Sequence, residues 1–155
     1  MSQTVPTLYE WAGGLPAFER LTDAMYSRVP QDPVLAPVFG AMSAEHSRHV
    51  AHFIAEVCGG PKAYSDHQGG HAHMIRRHLD RSLTEEQRRR WFDLMLDCAD
   101  AAGLPADPEF RSAFVAYLEW GSRLALQNSQ PGTAVDEDAP MPRWGWGVPG
   151  GPYQP

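Results

Sequence analysis

From Leu15 to about Asn128, apolar residues recur three and four positions apart, and no stretch alternates apolar with polar residues long enough to make a strand. Glycine, proline or a capping residue bounds each periodic run, so the chain reads as an all-α domain. Residues Leu15–Val29 open with Pro16 and set Phe18, Leu21, Met25 and Val29 on one face, with Thr22 and Tyr26 beside it. Residues 30–40 are broken by Pro30, Pro33 and Pro37 and read as short turns directing Val34, Leu35, Val38 and Phe39 inward. Ser43 is expected to cap a helix that stops at Cys58 against Gly59-Gly60-Pro61. Residues 61–70 read as a loop, followed by a short helix around His71–Leu79. Thr84-Glu85-Glu86-Gln87 is a capping box, and its helix carries Trp91, Leu94, Met95 and Cys98. The basic run Arg88-Arg89-Arg90 on that helix reads as a solvated face. Asp107-Pro108-Glu109 opens the last helix, whose stripe holds Phe110, Phe114, Tyr117, Leu118, Gly121, Leu124 and Ala125.

Composition changes after Asn128. Residues 129–155 contain 6 of the 14 prolines and 5 of the 14 glycines, which rules out a continued helix. Trp144, Trp146 and Tyr153 are too apolar for an idle linker, so residues 131–155 read as an irregular extension that packs back on the domain, residues 1–130, or meets a partner. A formal charge of −6 argues against a nucleic-acid binder. No window approaches the roughly 20 apolar residues that span a bilayer, and the N-terminal residues have neither the basic start nor the apolar run of a secretory signal. Two cysteines, Cys58 and Cys98, read as reduced core thiols, and the expected location is the cytoplasm.

The histidines carry the chemistry. At 100° per residue, His46 lies about 40° from Val50, inside the apolar stripe Val50, Phe53, Ile54, Val57. His49 lies on its flank, and His52 points to the opposite side. A histidine in an apolar stripe needs a partner for its ring nitrogens or lines a polar cavity. Tyr26 and Trp91 bring one donor each from two other helices, and three donors in an oily hollow suit an electronegative ligand. On the short helix, Met74 and Ile75 surround His78, while Arg76 and Arg77 bracket it with positive charge. One imidazole in an apolar pocket with a cationic rim suits a haem: the ring binds iron and the cations meet the propionates.

The stretches AFERLTDAMYSRV, DPVLAPVFG, FIAEVCGGPKAYSDHQGGHAHMIRRH and AYLEWGSRLALQNS, with Trp91 thirteen residues after His78, resemble the truncated haemoglobins. The likeness runs from Leu8 to about Ser129 and is to the second group of these two-on-two globins. It implies haem b (iron protoporphyrin IX) ligated by His78, with Tyr26 and Trp91 on the opposite, distal side. His46 matches the distal histidine. The segment between Phe39 and His46 is one residue short, which keeps His49 as a second candidate. Phe39 matches the aromatic residue stacked on the porphyrin. Val50, Phe53 and Met74 are expected to pack on the haem, with Arg77 and Tyr64 at the propionates. The chain departs from the pattern at Leu79-Asp80-Arg81, where the group often has Pro-Phe, and at Phe39, where many members have a tyrosine.

The resemblance implies reversible binding of dioxygen or another diatomic ligand with slow release. Weak haem peroxidase or nitric-oxide dioxygenase activity is a further expectation, with an unidentified reductase as electron source and a monomer or homodimer as the assembly. The rival reading is a non-haem metal protein using His46, His49 and His52, which the different directions of the three rings weaken. A third is an interaction module working through Trp144, Trp146 and Tyr153.

Overall fold

The computed structural model describes residues 4–40 and 42–147, and Tyr153 lies outside them. Among the described residues there is no strand. The helices are α1 (Leu8–Ala12), α2 (Leu15–Arg28), α3 (Ala36–Phe39), α4 (His46–Val57), α5 (Ala63–His67), α6 (Gly70–His78), α7 (Glu85–Ala101) and α8 (Pro108–Asn128), with one 3-10 turn at Val29–Gln31. Helix α2 packs on α4 and α7, and α7 on α8, making two packed pairs. Helix α6 joins that body through α8 and also packs on α5.

Local chemistry sets the helix ends. In α7 the Gln87 amide donates to Thr84 Oγ1 at 3.1 Å and the Thr84 amide to Gln87 Oε1 at 3.0 Å. The Phe110 amide donates to Asp107 Oδ2 at 2.9 Å, with Pro108 in the first helical position. Asp107 also accepts the Trp11 indole N–H at 2.8 Å, which fixes the start of α8 against α1. Beyond α4, Gly59 adopts φ 101°, and a Cβ on Gly60 would come within 2.6 Å of the Tyr9 ring. The glycine pair therefore lets α1 close on the end of α4, where the Tyr9 amide donates to the Cys58 carbonyl at 2.9 Å.

The core lies between the two pairs. Phe18, Leu21, Met25, Ile54, Met95, Phe110 and Phe114 are all buried, as are the free thiols of Cys58 and Cys98. Truncating a ring such as Phe18 would cost about 3–5 kcal/mol. No helix among the described residues is long and apolar enough to cross a membrane.

Four local expectations change. Helix α4 begins at His46, not after Ser43. Its flanking residue Glu45 has a helical backbone and no side-chain cap, while the Ser43 carbonyl accepts the His46 amide in the preceding turn. Residues 61–70 contain α5, because the buried Glu56 carboxylate accepts both the Ser65 amide, at 2.9 Å, and the Ser65 hydroxyl. The short helix α1 adds to these expectations: its apolar pattern is only five residues long, but Thr7 and Glu10 form a capping box that marks its start. The basic run is not a solvated face. Arg88 is buried and bonded to Glu85, Glu119 and Ser122, and Arg90 pairs with the buried Asp32, leaving Arg89 as the exposed member.

From Pro140 to Gly147 the backbone is irregular and lies against the helices. The Trp144 amide donates to the Val57 carbonyl at 2.8 Å, and Trp146 Nε1 donates to the Pro6 carbonyl at 2.8 Å.

Candidate functional site

Three polar rings from three helices meet beside one cavity. Tyr26, in the last turn of α2, stands edge-on to His46 at the start of α4, with ring centroids 4.6 Å apart. Phe39, at the end of α3, packs edge-on against both at 5.6 Å. Trp91 of α7 donates its indole N–H to the Tyr26 hydroxyl at 3.4 Å, a long bond that leaves the phenolic hydrogen uncommitted. Asp32 keeps these pieces together: it accepts the amides of Val34 and Leu35, both at 3.0 Å, and Arg90 Nε at 2.5 Å, tying the turn before Phe39 to the helix of Trp91. Burial alone would raise the Asp32 carboxyl, but these bonds outweigh it and hold the pKa below its ordinary value.

His46 Nε2 is buried without a hydrogen-bond partner among the described residues. An orphaned polar atom of this kind costs roughly 1–3 kcal/mol, which a ligand with a complementary group would relieve. Burial, reinforced by the guanidinium charges of Arg77 and Arg81, depresses the His46 pKa to about 4, so the ring is neutral at pH 7. Burial pushes Tyr26 up to about 12, against the opposing Trp91 bond, and the phenol keeps its proton.

On α6, His78 Nδ1 donates to the Met74 carbonyl one turn back at 2.8 Å. That bond fixes the tautomer and leaves Nε2 with its lone pair, as a metal-binding imidazole requires. Burial lowers the His78 pKa, the Met74 bond opposing and Arg81 and Arg77 adding to it, which favours the neutral form. Helix α6 ends at this residue because Leu79 turns extended. Asp80 and Ser82 then adopt φ of 57° and 51°, left-handed conformations that cost about 1–3 kcal/mol each for a side-chain-bearing residue. Two bonds hold the turn: the Ser82 amide to the Ser129 carbonyl at 2.7 Å, and the Leu83 amide to Ser129 Oγ at 3.0 Å.

The cavity between these parts has a volume of about 270 Å³, and the residues assigned to the ligand and the haem border it, whereas Arg76 and His52 do not. Tyr26, Phe39, His46 and Trp91 are joined there by Val50 and Phe53 of α4 and by Tyr64 of α5. Met74, Arg77 and His78 of α6 complete the set. Phe53 meets Tyr64 edge-on at 5.0 Å. Burial raises Tyr64 to about 12, with Arg77 pulling the other way. His49 also borders the cavity, but His46 is the one in ring contact with Tyr26 and Phe39. His52 faces elsewhere, its Nδ1 lying 3.3 Å from Gln68 Nε2. Among the described residues no three His, Cys, Asp or Glu side chains cluster to hold a metal ion, which removes the support for a His46/His49/His52 centre.

The donor set fits an iron porphyrin. One half-buried imidazole offers Nε2 in an apolar cavity, a second has an unpartnered nitrogen, and an arginine stands at the rim. Sequence reasoning missed His71, which borders the cavity and whose Nδ1 donates to the Pro140 carbonyl at 3.1 Å, and it missed the Ser129 latch. Their partners are 69 and 46 residues away, where no local pattern reaches.

Comparison with known proteins agrees with this geometry. Residues 7–120 match the family model of the bacterial-like globins. The chain is 32% identical over 130 residues to the group 2 truncated haemoglobin YjbI of Bacillus subtilis, covering 84% of this chain and 96% of that protein. The crystal structure of the group II truncated haemoglobin from Bacillus anthracis superposes with a TM-score of 0.73 at 26% identity, covering 83% of this chain and 95% of that one. The X-ray structure of a truncated oxygen-avid haemoglobin from Bacillus subtilis gives a TM-score of 0.69 at 30% identity, covering 78% and 99%.

Proposed function

Because the chain belongs to the bacterial-like globin family, with group II truncated haemoglobins as its relatives, we propose that it holds haem b through His78 and reversibly binds dioxygen or another diatomic ligand beside Tyr26, His46 and Trp91. The observation that carries this reading is the meeting of three polar rings from three helices in an apolar cavity that also holds His78 with its Nδ1 already bonded.

The iron porphyrin supplies the coordination site for the diatomic ligand. The chain supplies the rest. His78 presents Nε2, and its bond to the Met74 carbonyl raises the basicity of that nitrogen and fixes the ring plane. Phe39, Val50, Phe53 and Met74 give the apolar surfaces that exclude water. Arg77 and the Tyr64 hydroxyl take the carboxylates at the rim. The Tyr26 phenol, held by the Trp91 indole that donates to it, offers its uncommitted hydrogen to the ligand, and His46 adds a further polar contact through its unpartnered Nε2.

Each such hydrogen bond is worth on the order of 1 kcal/mol, rising to about 1.5–3 kcal/mol when the acceptor carries charge. Two or three of them slow ligand escape by roughly one to three powers of ten. The oxygen-avid character of the similar Bacillus subtilis protein supports slow release here. Stopped-flow measurement of dioxygen dissociation tests it: Trp91→Phe is expected to release dioxygen about tenfold faster. An unchanged rate would remove Trp91 from the ligand's surroundings.

A weak peroxidase activity is the second reading, favoured by the place of His46 beside the cavity with Nε2 unpartnered. There the ring would take the proton of a hydroperoxide and return it to the leaving oxygen as the O–O bond breaks, with electrons from a separate reductase. Undiminished peroxide turnover in His46→Leu would refute that role. Two buried free thiols suit work in the reducing cytoplasm, as a monomer or homodimer served by a separate reductase.

A further inference from the structure

The family match ends at residue 120, yet the irregular segment after α8 is bonded to four separate parts of the helical body. The Pro140 carbonyl accepts His71 Nδ1–H of α6 at 3.1 Å. The Trp144 amide donates to the Val57 carbonyl at the end of α4. The Trp144 ring lies 5.7 Å from Tyr117 and 5.5 Å from Trp120, both on α8. Trp146 donates to the Pro6 carbonyl and meets Trp11 of α1 edge-on at 6.1 Å. Three of the residues so held, His71, Tyr117 and Trp120, border the cavity.

We infer that residues 139–147 are a clasp, in which Trp144 and the His71–Pro140 bond act as positioning elements that keep α6, and with it His78, closed against α4 and α8 and so govern entry and loss of the porphyrin. The inference rests on the haem reading for its consequence but not for its geometry. Helix α6 is nine residues long and, among the main helix pairs, reaches the main body only through its packing on α5 and α8. A helix of that length is marginal on its own, so its closure depends on tertiary ties. Two ties hold it from the C-terminal part of the chain, on opposite sides of His78. Ser129 latches the turn after that residue, and the clasp holds His71, two turns before it. The clasp spans to α4 and α1, so opening it frees the N-terminal half of α6 without breaking a helix. Trp144 is the anchor because its backbone and its ring bind different helices.

The test compares the full chain with Trp144→Ala, Trp144→Phe, His71→Phe and a chain ending at Gln130. Hemin-loaded protein is mixed with excess haem-free myoglobin as acceptor, and the rate of haem transfer is followed by absorption. In parallel, amide hydrogen exchange is read on the haem-free proteins. The clasp predicts that Trp144→Ala and the shortened chain lose haem about tenfold faster, the shift expected when an aromatic anchor is removed. Exchange should rise in α6 while α2 and α7 keep their protection. Trp144→Phe, which retains a ring on Tyr117 and the backbone bond to Val57, should restore most of the retention. His71→Phe should give a smaller change of the same kind. Equal haem loss and equal α6 exchange in all five proteins would overturn the clasp. Loss of protection throughout the fold would also overturn it, since the segment would then be general support and not a tie on α6. A full-length chain that takes up no hemin would defeat the haem reading alone, and the exchange comparison would still decide the clasp.

Discussion

The two sides of the cavity are built on different plans. The side of Tyr26, His46 and Trp91 is assembled from α2, α4 and α7, which pack into the main body, and its rings touch one another directly. The side of His78 hangs on one nine-residue helix, fixed by a backbone carbonyl within it and by Ser129 and Pro140 from far along the chain. Rigidity on the first side comes from the core; on the second it comes from a few long-range bonds. A ligand cage tuned by hydrogen bonds needs the first, since a small displacement of a donor forfeits the bond. A cofactor that must enter the folded chain is better served by the second.

The difference can be broken by substitution. The largest effect is expected from removing both ring donors. Because Trp91 donates to Tyr26, the two act as a unit. Tyr26→Phe combined with Trp91→Phe should speed dioxygen dissociation by about a hundredfold, close to 3 kcal/mol, with the two single changes not additive. Strict additivity in that cycle would show two independent donors.

A smaller effect is expected on the other side. Ser129→Ala removes the acceptor of the Leu83 amide and should cost about 1–2 kcal/mol of stability by chemical denaturation. Amide exchange should quicken at Ser82 and Leu83 while the Tyr26–Trp91 region stays protected. Equal loosening of both regions would erase the distinction drawn between them.

A third effect is a pH dependence. His46 is depressed from 6.5 to about 4 in the folded chain, so the unfolded chain binds the proton more readily between those values. Stability of the haem-free protein therefore falls as pH drops from 6.5 toward 4 and is untouched by this group above 6.5. His46→Leu should flatten that slope, read as thermal midpoint against pH. A slope unchanged by the substitution would place the buried imidazole elsewhere.

Much of this arrangement is legible in the sequence, for reasons particular to each part. The face of α4 follows from helical spacing alone, which is why His46 could be set beside Val50 and Phe53 and kept apart from His52. The capping box at Thr84 and the Asp107-Pro108 start are local chemistry and stand where the pattern puts them. Ser43 misled because a capping residue type says nothing about the backbone angles it will adopt, and here the helix starts three residues later. The reading of Arg88 and Arg90 as solvated failed for a related reason. Their partners Glu119 and Asp32 lie 31 and 58 residues away. Ser129 and His71 were hidden likewise, since a serine or histidine bonded to a distant backbone group leaves no periodic trace.

The central claim is that His78 offers Nε2 to the iron of a porphyrin held in this cavity. Titrating the haem-free protein with hemin and recording ferric, ferrous and carbon-monoxide spectra tests it most directly, with His78→Gly measured alongside. The account predicts stoichiometric uptake with the strong violet band of a histidine-ligated haem, altered in His78→Gly and restored when free imidazole is added. A protein that stays colourless with hemin, or a His78→Gly spectrum identical to that of the parent chain, would contradict it.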